Sequence, residues 1–347
     1  MSTKAGGALT PDLDAAARPY AGASVLITGG LGFIGSSLAL PLARAGAEVT
    51  LVDAMIPGYG GNLFNIEPVR GRVRVNFCDV RDPHAMAHLV QGQDFIFHCA
   101  AQVCHIMSLS DPFPDIDINI KGTAVLLEAC KKANRRARIG KLGTRGQYGP
   151  SVKLPMSEDD PTNPKGIYEI SLLAAEKIVK VYNDVHGIPA TLFRLTNIYG
   201  PRAQMRHSRF GVANWFVRLA IDDETIQVFG DGLIKRDFVY IDDCVAAILQ
   251  ASSAETTVGE ILNVGDDRPS CFRELADAVI RVCGTGRWEF APFTPERAAQ
   301  EPGDFYSDIS RIRRLAGWEP RTSLDEGLRR TVEFYRAHRA AYWGTPE

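Results

Sequence analysis

The sequence predicts an α/β fold: a doubly wound parallel sheet with a smaller mixed C-terminal domain. Three observations carry this. Between Ser24 and Leu195, apolar strand-like stretches alternate with helix-length segments, which calls for parallel strands joined by right-handed crossovers. Past Pro201 that alternation gives way to short strands and unevenly spaced helices. The length, 347 residues, suits two domains or one large α/β unit at roughly 150 residues per domain.

The elements follow in order. Ser24-Val25-Leu26-Ile27 reads as a buried strand, and Ser36 to Ala45 is apolar at helical spacing. Between them lie Gly29, Gly32 and Gly35 on a strand-to-helix turn. Glycine permits the positive backbone angles of such a turn. It also lets a pyrophosphate reach the backbone, where the unpaired first amides of the helix favour an anion. A second strand, Glu48 to Val52, ends in Asp53, placed to grip a ribose hydroxyl and to repel a 2′-phosphate. NAD is therefore expected over NADP. The turn marks the sheet as Rossmann-type.

Val73 to Phe77 is the third strand, followed by Asp79, which is placed to meet an adenine amino group or to cap a helix. Asp82 is the better cap, with Pro83 after it. Asp94 to Ala101 is the fourth strand, and the small Ala100 and Ala101 leave room for a cofactor across the strand ends. His98 reads as a packed strand histidine, and His105 lies beyond the strand. A long helix is expected over Asp117 to Lys132. Arg138 to Thr144 is the fifth strand, with Lys141 where a central strand wants an apolar residue. Tyr168 to Tyr182 is a strong helix and Ala190 to Leu195 the sixth strand. Beyond Pro201, helices are expected at Val212 to Ala220, Asp242 to Ala251, Phe272 to Cys283 and Leu324 to Ala340. A short strand is expected at Ile226 to Phe229, with the stretch Arg236 to Tyr240 after a glycine turn.

Composition narrows the partners. Hydrophobic residues make up 45% and charged residues 23%, ample for a core. The net charge of −2 gives no reason to expect nucleic acid or an anionic membrane as partner. The seven cysteines form no CxxC pair, which suits reduced packing in a cytoplasmic protein and no metal site. Residues 1–20 read as a loose tail and not as a signal peptide.

The strings TGGLGFIG, CDVRD, FHCAAQV, NIKGT, TRGQYG, RLTNIYGPR, RDFVYIDD and NVG, with the closing EPGDFYSDIS, resemble the extended short-chain dehydrogenase/reductase family. The branch is that of the NAD-dependent nucleotide-sugar epimerases and dehydratases, and the likeness runs from about Val25 to Tyr335. It implies a Rossmann-type NAD-binding domain at 21–200. It implies a mainly substrate-binding domain at 201–347, some of whose segments return to the sheet.

The resemblance also implies a UDP-sugar 4-epimerase-like reaction by transient oxidation at C4. A tyrosine takes the proton of the sugar hydroxyl, hydride passes to NAD, and it returns to the other face of the ketone. The matching tyrosine is Tyr168 and the matching hydroxyl Thr144. The implied cofactor contacts are Gly29, Gly32, Phe33, Ile34, Gly35, Asp53, Asp79, Val80, Ala100, Ala101, Asn119 and Tyr168; the implied substrate contacts are Thr144, Asn197, Arg236 and Asp304. It further implies a homodimer packed through the helices Asp117 to Lys132 and Tyr168 to Tyr182.

Three positions depart from the family pattern. Leu172 stands where a lysine lowers the tyrosine pKa, Gly143 where a serine precedes the catalytic hydroxyl, and Glu301 where several relatives have an arginine. Free tyrosine has a pKa of about 10, so only ~0.1% is ionised near pH 7, and the missing lysine is worth on the order of a thousandfold. Dehydratases and decarboxylases of the family carry acids just after the catalytic hydroxyl. Here Arg145-Gly146-Gln147 supplies no carboxylate, so epimerisation is favoured over elimination. Two alternatives stand beside the epimerase: an impaired homologue that only binds NAD and a nucleotide sugar, and a related sugar-nucleotide oxidoreductase.

Overall fold

A computed structural model describes residues 11–344 apart from 296, 297, 299 and 300. Its centre is a seven-stranded sheet. β1 (Ser24–Thr28), β2 (Glu48–Asp53), β3 (Val73–Phe77), β4 (Phe95–His98), β5 (Arg138–Thr144) and β6 (Ala190–Leu195) fall where the sequence places them, with β4 shorter than expected. The seventh strand, Ile261–Val264, is four residues long and pairs with β6, too short to stand out as a strand in the sequence. The order is Ile261–Val264, β6, β5, β4, β1, β2, β3, and every pairing is parallel. Sequence neighbours reverse direction across the sheet at β1 and β4, which opens a crevice at their carboxyl ends.

Strand alternation divides the core into two layers. Val25 and Ile27 of β1 join one apolar cluster and Leu26 joins the other. This is why the strand reads as an unbroken apolar run. The first layer holds the helices Phe33–Ala45 and Ile241–Ser253; the second holds Pro83–Leu89, Gly122–Ala133 and Ile167–His186. Asp82 caps the helix Pro83–Leu89 as expected, accepting from the backbone of His84 and Ala85. The long helix expected from Asp117 opens instead as a π-helical segment, Asp115–Lys121, before Gly122–Ala133.

The expectation of a loose tail fails for residues 11–20. Pro11–Ala17 is helical, and Leu13, Ala16, Ala17 and Tyr20 are buried. The Tyr20 hydroxyl donates to the Leu249 carbonyl at 2.8 Å, and its ring lies 4.5 Å from that of Phe95. Residues 1–10 lie outside the described part.

The C-terminal part builds a parallel pair, Thr225–Phe229 with Arg287–Ala291, and helices at Val212–Ile221, Phe272–Cys283, Ser310–Ala316 and Leu324–Tyr342. Ile241–Ser253 and Ile261–Val264 return to the main sheet and its first layer. One apolar cluster runs from Leu13 to Trp343, so both parts share a core.

A buried polar network ties β5, β6 and the helix Ile167–His186 together. Arg194 and Glu176 are 2% and 3% exposed and pair through two bonds, Nε to Oε2 at 2.9 Å and Nη2 to Oε1 at 2.7 Å. Gln147 donates to the same carboxylate at 2.6 Å and accepts from the Thr144 amide at 2.8 Å. A Cβ on Gly143 would sit 2.2 Å from that Gln147 oxygen, which accounts for the missing serine at 143. Removing one member of such a pair leaves a buried charge alone. Arg194→Met is expected to cost about 3–5 kcal/mol in urea denaturation. Adding Glu176→Gln to it should recover part of the loss, and a neutral single variant would refute the network's role.

Candidate active site

At the carboxyl ends of the strands lies a cavity of about 440 Å3, within the usual range for ligand sites. Its first wall is the glycine turn. Gly29 has φ +65°, and a Cβ there would lie 2.8 Å from the Ala100 amide nitrogen; on Gly35 it would lie 2.2 Å from the Gly29 carbonyl oxygen. The helix Phe33–Ala45 has no side-chain cap at its start, so its first amides are open to an anion. Asp53 closes this wall. Its carboxylate accepts from the amides of Leu31 at 3.0 Å and Met55 at 2.9 Å, while burial raises its pKa. Each oxygen keeps capacity for a further donor.

Phe33, Ile34, Val80, Ala100 and Ala101 line the cavity as expected. Asp79 lines it too, but both its oxygens are held by the Arg81 guanidinium, at 2.9 and 2.7 Å. The Arg81 hydrogen bonds hold its carboxyl below the usual range. Asn119 does not reach the cavity. Its amide holds the backbone of Gln102 on both sides and donates to the Ser171 hydroxyl at 2.8 Å, so it braces the wall from behind.

The second wall carries the chemistry. β5 delivers Thr144, and the helix Ile167–His186 delivers Tyr168 and Leu172; all three line the cavity. Thr144 caps the following turn by accepting from the Gly146 amide at 3.2 Å, and its side chain acts to lower the pKa of the Tyr168 phenol. Burial pushes that phenol above its ordinary value, and the Glu169 charge adds to the rise. Leu172 is 3% exposed and brings no charge. Lys141, by the two-residue period of β5, shares the face of Ile139, which packs under the helix Ile167–His186. It is buried, bonds only the Leu142 carbonyl, at 3.0 Å, among the described residues, and burial pushes its ammonium down to about 8. Lys165 lines the cavity from the loop before the helix and is exposed.

Three residues absent from the sequence-based site belong to it. Glu169 reaches into the space beside Gly146: a Cβ on Gly146 would lie 2.6 Å from the Glu169 Cγ. The expectation that no carboxylate stands beside Thr144 therefore does not hold, because the acid comes from a helix and not from the residues after the strand. His105, the first residue of the helix His105–Ser110, pairs through Nδ1 with the Glu169 Oε1 at 2.5 Å. Arg145 lies over the Phe305 ring at 5.1 Å and has no ion-pair partner among the described residues. Burial pushes its guanidinium down to about 10, with Arg236 adding to the effect.

Of the expected substrate contacts, Asn197 lines the cavity and donates to the Asp237 carbonyl at 3.1 Å. Arg236 and Asp304 do not line it. Arg236 is buried and bonds Glu301 and the Gly303 carbonyl. The departure at Glu301 thus neutralises the arginine expected to face a phosphate. Asp304 is exposed and accepts from the Lys235 amide at 2.9 Å.

A nucleotide cradle and a threonine–tyrosine pair share one crevice. A model of the NAD dependent epimerase/dehydratase family matches residues 25–265. The UDP-glucose 4-epimerase of Mycolicibacterium smegmatis is 33% identical over 315 residues, covering 90% of this chain and 98% of its own. The dTDP-glucose 4,6-dehydratase of Streptomyces niveus is 30% identical over 333 residues, covering 93% and 95%. The structure of the Thermus thermophilus UDP-glucose 4-epimerase in complex with NAD superposes with a TM-score of 0.80 at 28% identity, covering 90% and 99%. The chain belongs to the NAD-dependent epimerase/dehydratase family, within the extended short-chain dehydrogenases/reductases, and NAD is its cofactor. The glycine turn, the uncapped helix start and Asp53 fit it. Among the described residues no helix is long and apolar enough to cross a membrane.

Proposed function

We propose that this chain is a cytoplasmic, homodimeric nucleotide-sugar 4-epimerase that acts by transient oxidation of the sugar C4 hydroxyl, with a UDP-sugar as substrate. The carrying observation is that Thr144 and Tyr168 meet in the cavity that the glycine turn and Asp53 also line. When bound, NAD accepts a hydride and gives it back. Asp53 and the turn amides hold the cofactor, Thr144 and Tyr168 hold the sugar hydroxyl, and Asn197 with the unpaired Arg145 receives the anionic end of the substrate. The division at residue 200 separates the cofactor part from the part that closes over the sugar. Exposed Ile170, Val181 and Val185 lie along one side of the helix Ile167–His186, which suits a dimer face.

A second reading is a homologue that binds NAD and a nucleotide sugar without turnover. Leu172 favours it, since nothing at that position offsets the raised pKa of Tyr168. A related oxidoreductase would differ by consuming cofactor.

One experiment separates these readings. The purified protein is sized by light scattering, denatured to release NAD, and incubated with UDP-, dTDP- and GDP-sugars. Epimers without net cofactor consumption are expected from a dimer carrying bound NAD. Bound NAD with no turnover on any sugar would replace the enzyme by the binding protein. A 4-keto-6-deoxy product would replace epimerisation by elimination.

A further inference from the structure

We propose that His105, held by Glu169, is an acid–base residue of this site and takes the substrate proton that the tyrosine takes where a lysine supports it. The inference rests on the reading of the cavity as an alcohol-oxidising site.

Four observations meet here. His105 and Glu169 both line the cavity with Tyr168 and Thr144. The His105 ring stands edge-on to the Tyr168 ring, with centroids 4.8 Å apart. Its Nδ1 lies 2.5 Å from the Glu169 Oε1, and Nε2 has no hydrogen-bond partner among the described residues. Glu169 is 8% exposed, and its second oxygen is buried without a partner.

A carboxylate on Nδ1 fixes the tautomer: the proton sits on Nδ1, and the Nε2 lone pair is free to accept another. The same carboxylate then stabilises the imidazolium, as in hydrolytic triads. The remaining charged neighbours are Asp115, whose carboxyl burial pushes up to about 6, Arg145 and the Tyr168 phenol. Burial pushes the Glu169 carboxyl up, but the hydrogen bond from His105, with the Glu169 backbone amide and the Arg145 charge, makes the net shift downward. Glu169 is thus held as the anion that the pair requires. The half-exposed His105 side chain, at 48%, gives the proton a way to water.

The step balances. The sugar O–H bond breaks and an N–H bond forms at Nε2. The O–H electron pair becomes the second bond of the carbonyl, and the C–H pair leaves as hydride, for which NAD, when bound, would supply the acceptor. On return of the hydride, the imidazolium gives the proton back to oxygen. Tyr168 keeps its phenolic proton throughout and, with Thr144, positions the oxygen.

The test uses the NAD-loaded protein with its histidines labelled with nitrogen-15. The wild-type spectrum is expected to show His105 protonated on Nδ1 and bare on Nε2, and Glu169→Gln to lose that preference. With UDP-galactose and UDP-glucuronate, His105→Gln should lower kcat about 100-fold or more, the usual worth of a general base, with KM changed less than about threefold. Added imidazole should restore His105→Gly by about tenfold or more, which a structural role would not allow. NAD released on denaturation checks that each variant is folded and loaded. A proton on Nε2, a His105→Gln variant within about threefold of wild type, or no imidazole rescue overturns the proposal. A wild type that turns over no sugar would sink the function reading alone, and the nitrogen spectrum would still decide the pairing.

Discussion

Leu172→Lys is expected to raise the ionised share of Tyr168 by one to three orders of magnitude. Burial and the Glu169 charge hold this phenol above its ordinary value, so the share at neutral pH lies below the ~0.1% of free tyrosine. Leu172 is buried in the cavity wall beside it. An ammonium there would favour the phenolate, and an opposite charge within ~4–6 Å is worth about 1–3 pKa units. Each unit is tenfold in phenolate. Ten tyrosines share the chain, so the reading is a difference titration of phenolate absorbance between Leu172→Lys and Leu172→Lys/Tyr168→Phe. The expected signal is one tyrosine titrating about one to three pH units lower than the same difference between wild type and Tyr168→Phe shows. Epimerase turnover should rise with it and depend less on His105, because the site would then have two bases. An unchanged titration would show that position 172 does not couple to the phenol.

Gly35→Ala is expected to cost at least 100-fold in NAD affinity, about 2.7 kcal/mol. The added Cβ would meet the Gly29 carbonyl oxygen at 2.2 Å, the Gly29 carbonyl carbon at 2.9 Å and the Gly30 Cα at 3.0 Å. All three are backbone, so the turn itself must open, and the cradle of amides loses its shape. Gly46→Ala is the control. Gly46 has φ +90° with nothing within 4 Å, so the substitution should cost about 1–2 kcal/mol of stability and leave NAD affinity unchanged. Calorimetric titration of the stripped protein measures both. Stoichiometric NAD retained by Gly35→Ala would show that the cofactor does not sit on this turn.

Much of the fold was legible because its signals are local. The glycine turn, Asp53, the Asp82 cap and six of the seven strands of the sheet announce themselves within a few residues. The N-terminal helix did not, since its anchor is a bond from Tyr20 to Leu249. The cofactor wall was legible for the same local reason, and Asn119 was misplaced because its bonds run to Gln102 and Ser171 behind that wall. Arg236 was misread because its partner, Glu301, lies far along the chain. Glu169 reads in sequence as an acid in the first turn of a helix, a common partner of the dipole. Only folding brings it to His105 and into the space beside Gly146.

The two glycines at the end of β5 and in the turn after it, Gly143 and Gly146, are each overlaid by a side chain from elsewhere. Gln147 fills the place of a side chain at 143, and Glu169 fills the place of one at 146. A side chain at 143 or 146 therefore displaces the one that now fills its place. Shortening Gln147 strips Glu176 of a partner, and removing Glu169 leaves His105 without its carboxylate.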